Sequence, residues 1–281
     1  MAVSITTDRA CDLFPDLYLQ RDIGVVPLYI SLEGQNLRDV FEASPDDLFE
    51  SFSRTHKLPT TAAPAPADFF ALFQKYTAAG NDIVHLAMNG KFSSSYQNAV
   101  LAAQKFPNVY VADTCTLSSA LGLLCLRAAD LRDAGASAKE IYEAMLRDKE
   151  KIRTHVLLDT LEYAYKGGRA TMLQMFGANL LKLRPCLLLD HRGDLSVVKK
   201  FRGNFAQAAR EYARYVLARP HIDGERAFVS TTGMDGGLFA EIVSTVRDSH
   251  IFREVLTSRA GCAMSCHTGP NTLVIFYKEQ D

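Results

Sequence analysis

Between residues 82 and 112 the chain sets two short apolar runs on either side of a helix-length segment, and this restricts the fold more than any other stretch. Asp82-Ile83-Val84-His85-Leu86-Ala87-Met88 is compact and apolar, as a strand buried on both faces must be. An alanine-rich stretch beginning near Ser93 reads as a helix, and Val109-Tyr110-Val111-Ala112 reads as the next strand. Strand, helix, strand is the βαβ unit, in which the helix carries the chain back so that the strands run parallel. Residues 118–133 read as another helix, and Ser137-Ala138-Lys139-Glu140 has capping-box spacing for the one after it. Such alternation predicts an α/β fold whose mainly parallel sheet is flanked by helices.

Upstream, residues 2–6 and 25–32 read as strands, the second ending in a Glu33-Gly34-Gln35 turn. Ser44-Pro45-Asp46-Asp47 supplies an N-cap, a proline at the first helical position and an acidic first turn, which predicts a helix to about Arg54. Phe69, Leu72, Phe73 and Tyr76 form one helical stripe. From about Thr154 the pattern changes. A strand at 155–158 and a helix lead to Gly167-Gly168-Arg169, then to a hairpin of 185–189 and 195–201 around His191-Arg192-Gly193-Asp194. A helix at 206–217, a strand at 227–231, a helix at about 238–248 and a strand at 272–277 follow. This change predicts two α/β domains, 1–153 and 154–281.

Composition removes several function classes. With 31 basic and 32 acidic residues, a formal net charge of -1 and no basic run, the surface is not built to neutralise nucleic-acid phosphates. No segment approaches the ~20 apolar residues of a transmembrane helix. The start, Met1-Ala2-Val3-Ser4-Ile5-Thr6-Thr7-Asp8, lacks the basic head and apolar core of a signal peptide, so a cytoplasmic protein is expected. The six cysteines lack paired CxxC spacing, and reduced thiols are the expectation. Cys262-Ala263-Met264-Ser265-Cys266-His267 offers three ligands and no second cluster, so neither a metal nor a cofactor is expected.

Three segments could carry chemistry. In Leu58-Pro59-Thr60-Thr61-Ala62-Ala63-Pro64-Ala65-Pro66 the prolines stiffen a loop presenting two hydroxyls, which either bind something or are simply solvated. Lys91-Phe92-Ser93-Ser94-Ser95-Tyr96-Gln97 joins a strand to a helix, where unpaired N–H groups face outward. Ser93 and Ser94 add donors there, although serine is also an ordinary N-cap. Neither GxxxxGK[ST] nor GxGxxG occurs. His267 lies in a turn before the last strand. Converging, Thr61, Ser93 and His267 would suit a carboxylate. Ser93 and His267 also follow the chain order of a serine-type hydrolase or acyl transferase. Against that alternative, Gly90-Lys91-Phe92-Ser93-Ser94 is not GxSxG and no aspartate is marked as a third member. Lys199-Lys200-Phe201-Arg202 is either a solvated strand end or a docking patch for an anionic group or partner.

In order along residues 2–280, these motifs resemble the DegV family of bacterial fatty-acid-binding proteins. The residues that carry the resemblance are Thr7-Asp8, Val26-Pro27-Leu28, Pro59-Thr60-Thr61 with Pro66-Ala67-Asp68-Phe69, and Ser93 with Tyr96-Gln97. Gly167-Gly168-Arg169, Lys200-Phe201-Arg202 and His267-Thr268-Gly269-Pro270 complete it. The resemblance implies a long-chain fatty acid in a buried tunnel between two α/β domains. Thr61 and Ser93 would hold its carboxylate, Ser94 would replace or supplement Ser93, and His267 would lie near the same head group. It implies a carrier, not an enzyme, that presents the carboxylate to a separate fatty acid kinase for acyl-phosphate formation. Arg202 matches an arginine implicated in that handover, and Arg169 is a further candidate. The chain departs from the family at Phe92-Ser93-Ser94-Ser95-Tyr96, where Leu-Ser-Gly-Thr-Tyr is usual, and at Asn89-Gly90, where a Ser-Ser pair is usual. It departs again at Gly269-Pro270-Asn271, usually Gly-Pro-Gly. Phe69, Phe70 and Phe73 are expected to help close the apolar cavity behind Thr61.

Overall fold

The computed structural model describes residues 2–167 and 183–280. Its first half contains β1 (Val3–Asp8), α1 (Pro15–Gln20), β2 (Ile23–Val26), β3 (Tyr29–Leu32), β4 (Gln35–Arg38) and α2 (Pro45–Thr55). There follow β5 (Thr60–Ala62), α3 (Pro66–Ala78), β6 (Asp82–Ala87), α4 (Ser95–Ala103), β7 (Val109–Asp113), α5 (Ser118–Asp133) and α6 (Ala138–Asp148). The expected βαβ unit is β6-α4-β7, part of a four-stranded parallel sheet of order β2-β1-β6-β7. Along β6, Ile83 and His85 face α3 and α4, while Val84 and Leu86 join the core on the α5 side.

The strand expected at 25–32 is two strands. Pro27 cannot donate to a ladder, so β2 ends at Val26 and the chain crosses to a separate antiparallel sheet of order β4-β3-β5. The proline-rich segment is therefore not wholly a loop, because Thr60 and Thr61 pair with Ser31 and Ile30. The helix α2 starts on the expected capping box, with Asp47 N donating to Ser44 Oγ and Ser44 N to Asp47 Oδ2.

The second half contains β8 (Ile152–Leu157), α7 (Glu162–Lys166), β9 (Leu183–Leu189), β10 (Leu195–Arg202), α8 (Phe205–Leu217) and β11 (Ile222–Thr231). It closes with α9 (Gly236–Asp248), β12 (Glu254–Arg259), α10 (Cys262–Thr268) and β13 (Leu273–Glu279). Its six strands lie in the order β10-β9-β8-β13-β11-β12, antiparallel except for β11 with β12. The hairpin is present as β9–β10, with a register shift between Val197 and Lys199. β12 and α10 were not expected. His267 accordingly sits in the last turn of a helix, not in a turn.

The helix α5 joins the halves. Eleven of its sixteen residues are buried, and a helix apolar on every side needs partners on every side. It finds them in β1 and β6 of one sheet and β11 and β13 of the other. One core consequently runs from Ile5 and Val84 through Leu121 and Leu124 to Phe228 and Phe276. Among the described residues no helix is long and apolar enough to cross a membrane.

Candidate functional site

A cavity of about 290 Å³ lies where the small sheet, the turn after β6 and α10 meet the β8–β9–β10 face. The second sheet lines it with Val156, Leu187, Leu189 and Leu195, joined by Leu158 just beyond β8. Thr61, Ser93, Ser94 and His267, all named from the sequence, line it as well, together with Thr154 and Thr268.

Strand geometry chooses between the two threonines. Successive side chains of β5 point to opposite faces, which leaves Thr60 exposed and turns Thr61 inward. Thr61 Oγ1 lies 3.3 Å from His267 Nε2. The segment after β5 is tied down at two adjacent residues, Pro64 and Ala65. Asn98 Nδ2 donates to Pro64 O (2.8 Å), and Ala65 N donates to Asp68 Oδ2 (2.8 Å).

The three serines at the start of α4 divide their work. Ser95 Oγ donates to Asp8 Oδ2 (2.8 Å), so it serves the end of β1. Asp8 occupies the crevice between β1 and β6, where the strand order reverses and α/β folds commonly bind ligands. It also takes the N–H of Met88 (3.0 Å), and burial pushes its carboxyl up to about 6. Ser93 Oγ accepts from Ser95 N (3.2 Å) and keeps its own O–H to donate. Ser94, at the N-cap of α4, makes no capping bond with its side chain.

Gly167 explains itself against His267. A Cβ there would lie 2.6 Å from His267 Nδ1 and 2.8 Å from Tyr163 O. Gly168 and Arg169 lie outside the described residues. Arg202 is the exposed last residue of β10 and is not in the cavity lining.

Phe69 and Phe73 do not close the cavity. Both are fully buried on the far side of the parallel sheet, edge-on to His85, and Phe70 is half-exposed against Phe106. Their helical stripe marked a core face correctly, but the sheet stands between that face and Thr61.

Asn89 and Lys91 are contacts the sequence did not reveal. Asn89 Nδ2 donates to Gly193 O (3.1 Å) and Lys91 Nζ pairs with Asp194 Oδ1 (2.6 Å), docking the β9–β10 tip onto the turn that carries Ser93. Gly193 has φ +77, and a Cβ there would come within 2.3 Å of Asn89 Nδ2, so both backbone and space require glycine. The wall residues were also missed, although the apolar run Cys186-Leu187-Leu188-Leu189 was a visible signal. Among the described residues no group of three or more His, Cys, Asp or Glu side chains is placed to hold a metal ion.

A family model described as "Uncharacterised protein, DegV family" matches residues 2–280. A DegV domain-containing protein of Deinococcus radiodurans is 30% identical over 97% of this chain and 97% of its own. A Thermotoga maritima protein named a fatty acid-binding protein is 29% identical, covering 97% of this chain and 96% of its own. A solved structure, described as fatty acid binding of a DegV family protein from Thermus thermophilus, matches with a TM-score of 0.90 at 30% identity over 100% of both chains.

Proposed function

The chain belongs to the DegV family, and from that premise we propose that it is a cytoplasmic, non-enzymatic carrier that holds one long-chain fatty acid in the cavity described above. The observation that carries this reading is the convergence of Thr61, Ser93, Ser94 and His267, from three distant segments, on one mainly apolar cavity. Hydroxyls and an imidazole can donate to a carboxylate without a buried countercharge. The fatty-acid-binding names of the relatives from Thermotoga maritima and Thermus thermophilus agree with it.

Most of the binding free energy belongs to the tail. Each buried methylene contributes ~0.8 kcal/mol, so a chain of about 16 carbons approaches ~10 kcal/mol before ordering costs are deducted. The polar groups then select a carboxylate over other head groups. We further assign the handover of this carboxylate to a separate fatty acid kinase, with acyl phosphate as product. Arg202, exposed at the end of β10, offers planar paired donors outside the cavity for that step, and Arg169 is the second candidate.

The test begins with lipid extracted from freshly purified protein. Mass spectrometry should find roughly stoichiometric long-chain fatty acid; protein that is lipid-free and takes up none would overturn the reading. In the same preparation Arg202→Ala should keep fatty-acid affinity and lose acyl-phosphate formation with a cognate kinase. Sustained ester turnover abolished by Ser93→Ala would instead support the hydrolase or acyl transferase.

A further inference from the structure

Two buried carboxylates from the first half of the chain hold the end of α10 opposite His267. Asp39, one residue beyond β4, accepts from Cys262 N at Oδ1 (2.7 Å) and from Ala263 N at Oδ2 (2.9 Å). Asp12 accepts from Gly261 N at Oδ1 (2.8 Å) and from Ser118 Oγ at Oδ2 (2.7 Å). The N-cap residue, Gly261, has no side chain to do this locally. Its bareness is needed, because a Cβ there would lie 3.0 Å from both oxygens of Asp39.

The same small sheet meets α10 twice. Its edge strand β4 leads into Asp39 at the start of the helix, and its other edge strand β5 presents Thr61 to His267 in the last turn. The far end of α10 is bonded to the second half, with Thr232 Oγ1 donating to Gly269 O (2.6 Å). The helix is thus strung between the halves. Seven residues span ~10 Å, so a slight tilt at the Asp39 end alters the separation of His267 from Thr61.

We propose that Asp39, supported by Asp12, is a positioning residue for the carboxylate site, fixing the Thr61–His267 pair by locking α10 onto the sheet that carries Thr61. A serine or asparagine at position 261 would cap so short a helix locally without burying a charge. What a local cap cannot do is tie the helix to another element. Burying Asp39 at 1% exposure and Asp12 at 2% costs solvation, and the tie is what that cost secures.

The ligand part of this inference rests on the fatty-acid reading, so the experiment has one readout that does not. Palmitate and hexadecanol, which share a tail but not a carboxylate, are titrated into wild type, Asp39→Asn and Gly261→Ala, and the His267 imidazole ¹⁵N signals are recorded without ligand. Gly261→Ala keeps both carboxylates and displaces Asp39 by a few tenths of an ångström, so it carries the test if Asp39→Asn does not fold. Asp39→Asn should weaken palmitate tenfold or more, leave hexadecanol within about twofold and shift the His267 signals. Gly261→Ala should do the same to a lesser degree. Equal weakening of both probes, or unchanged His267 signals in folded variants, would overturn the proposal. Wild type that binds neither probe would sink the fatty-acid reading instead, and the His267 signals would still decide the positioning role.

Discussion

The cavity has two dissimilar sides. Around Thr61 and His267, polar atoms are held by specific partners: Asp39 and Asp12 on the start of α10, Asn98 on Pro64 and Ser95 on Asp8. The β8–β9–β10 side presents Val156, Leu187, Leu189 and Leu195, with Thr154 as its polar member. Thr154 Oγ1 is buried with no hydrogen-bond partner among the described residues. One side is specified by pairs of complementary atoms and the other by volume, so the two should respond differently to substitution.

The largest effect is expected from filling the volume. Val156→Trp places an indole where the tail would lie and should weaken fatty-acid binding a hundredfold or more by calorimetry, with overpacking costing about 1–3 kcal/mol of stability. Fatty alcohol should be lost equally. Retained binding in a folded Trp variant would move the tail away from this wall.

On the polar side the loss should depend on the head group. Thr61→Val and Ser93→Ala should each cost about 1–3 kcal/mol of fatty-acid binding, because a buried carboxylate is left short of a donor. Fatty alcohol affinity should barely change. If both ligands weakened together, the distinction between the two sides would fail, and if neither did, Ser94 would be the next donor to remove.

The buried polar groups also predict a pH signature with two opposing signs. Burial raises Asp12 to about 7, so its contribution to stability is full below the ordinary carboxylate pKa and is lost as pH rises through 7. Burial lowers His85 to about 3, so its contribution is full above the ordinary imidazole pKa and is lost as pH falls toward 3. Between pH about 4 and 7, Asp12→Asn should therefore make the slope of stability against pH more positive, and His85→Gln should make it less positive. Each change is bounded at ~1.4 kcal/mol per pH unit, the linkage of one proton. Denaturant melts across that range would check it, and parallel profiles for all three proteins would refute the assignment.

The smallest effect is expected at Thr154. Thr154→Val keeps the shape and removes an unsatisfied hydroxyl, so stability should be unchanged or rise by about 1 kcal/mol in thermal melts. A marked loss would mean that the hydroxyl has a partner and that this side, too, is specified by polar pairing.

Much of this was legible in residue order. The α2 capping box and the β9–β10 hairpin depend on neighbours within a few positions, the β6-α4-β7 unit rests on the alternation of apolar runs with a helix-length segment, and each stands where the pattern placed it. Thr61, Ser93, Ser94 and His267 could be named one by one because turn chemistry and motif order mark them. The stripe of Phe69 and Phe73 showed which side of α3 is buried, yet amphipathicity cannot say which side of the sheet that core occupies.

Local pattern, by itself, determined elements whose hydrogen bonds close within their own segment. Tertiary structure alone decided those whose partners arrive from elsewhere. β5 is a strand because Ser31 and Ile30 pair with Thr60 and Thr61, and α10 starts at a glycine because carboxylates at positions 12 and 39 satisfy its first N–H groups. The Thr61–His267 contact, 206 residues apart in the chain, is of the same kind. A buried donor accepts any well-placed acceptor regardless of sequence separation, so the fold had to form before the site could be assembled.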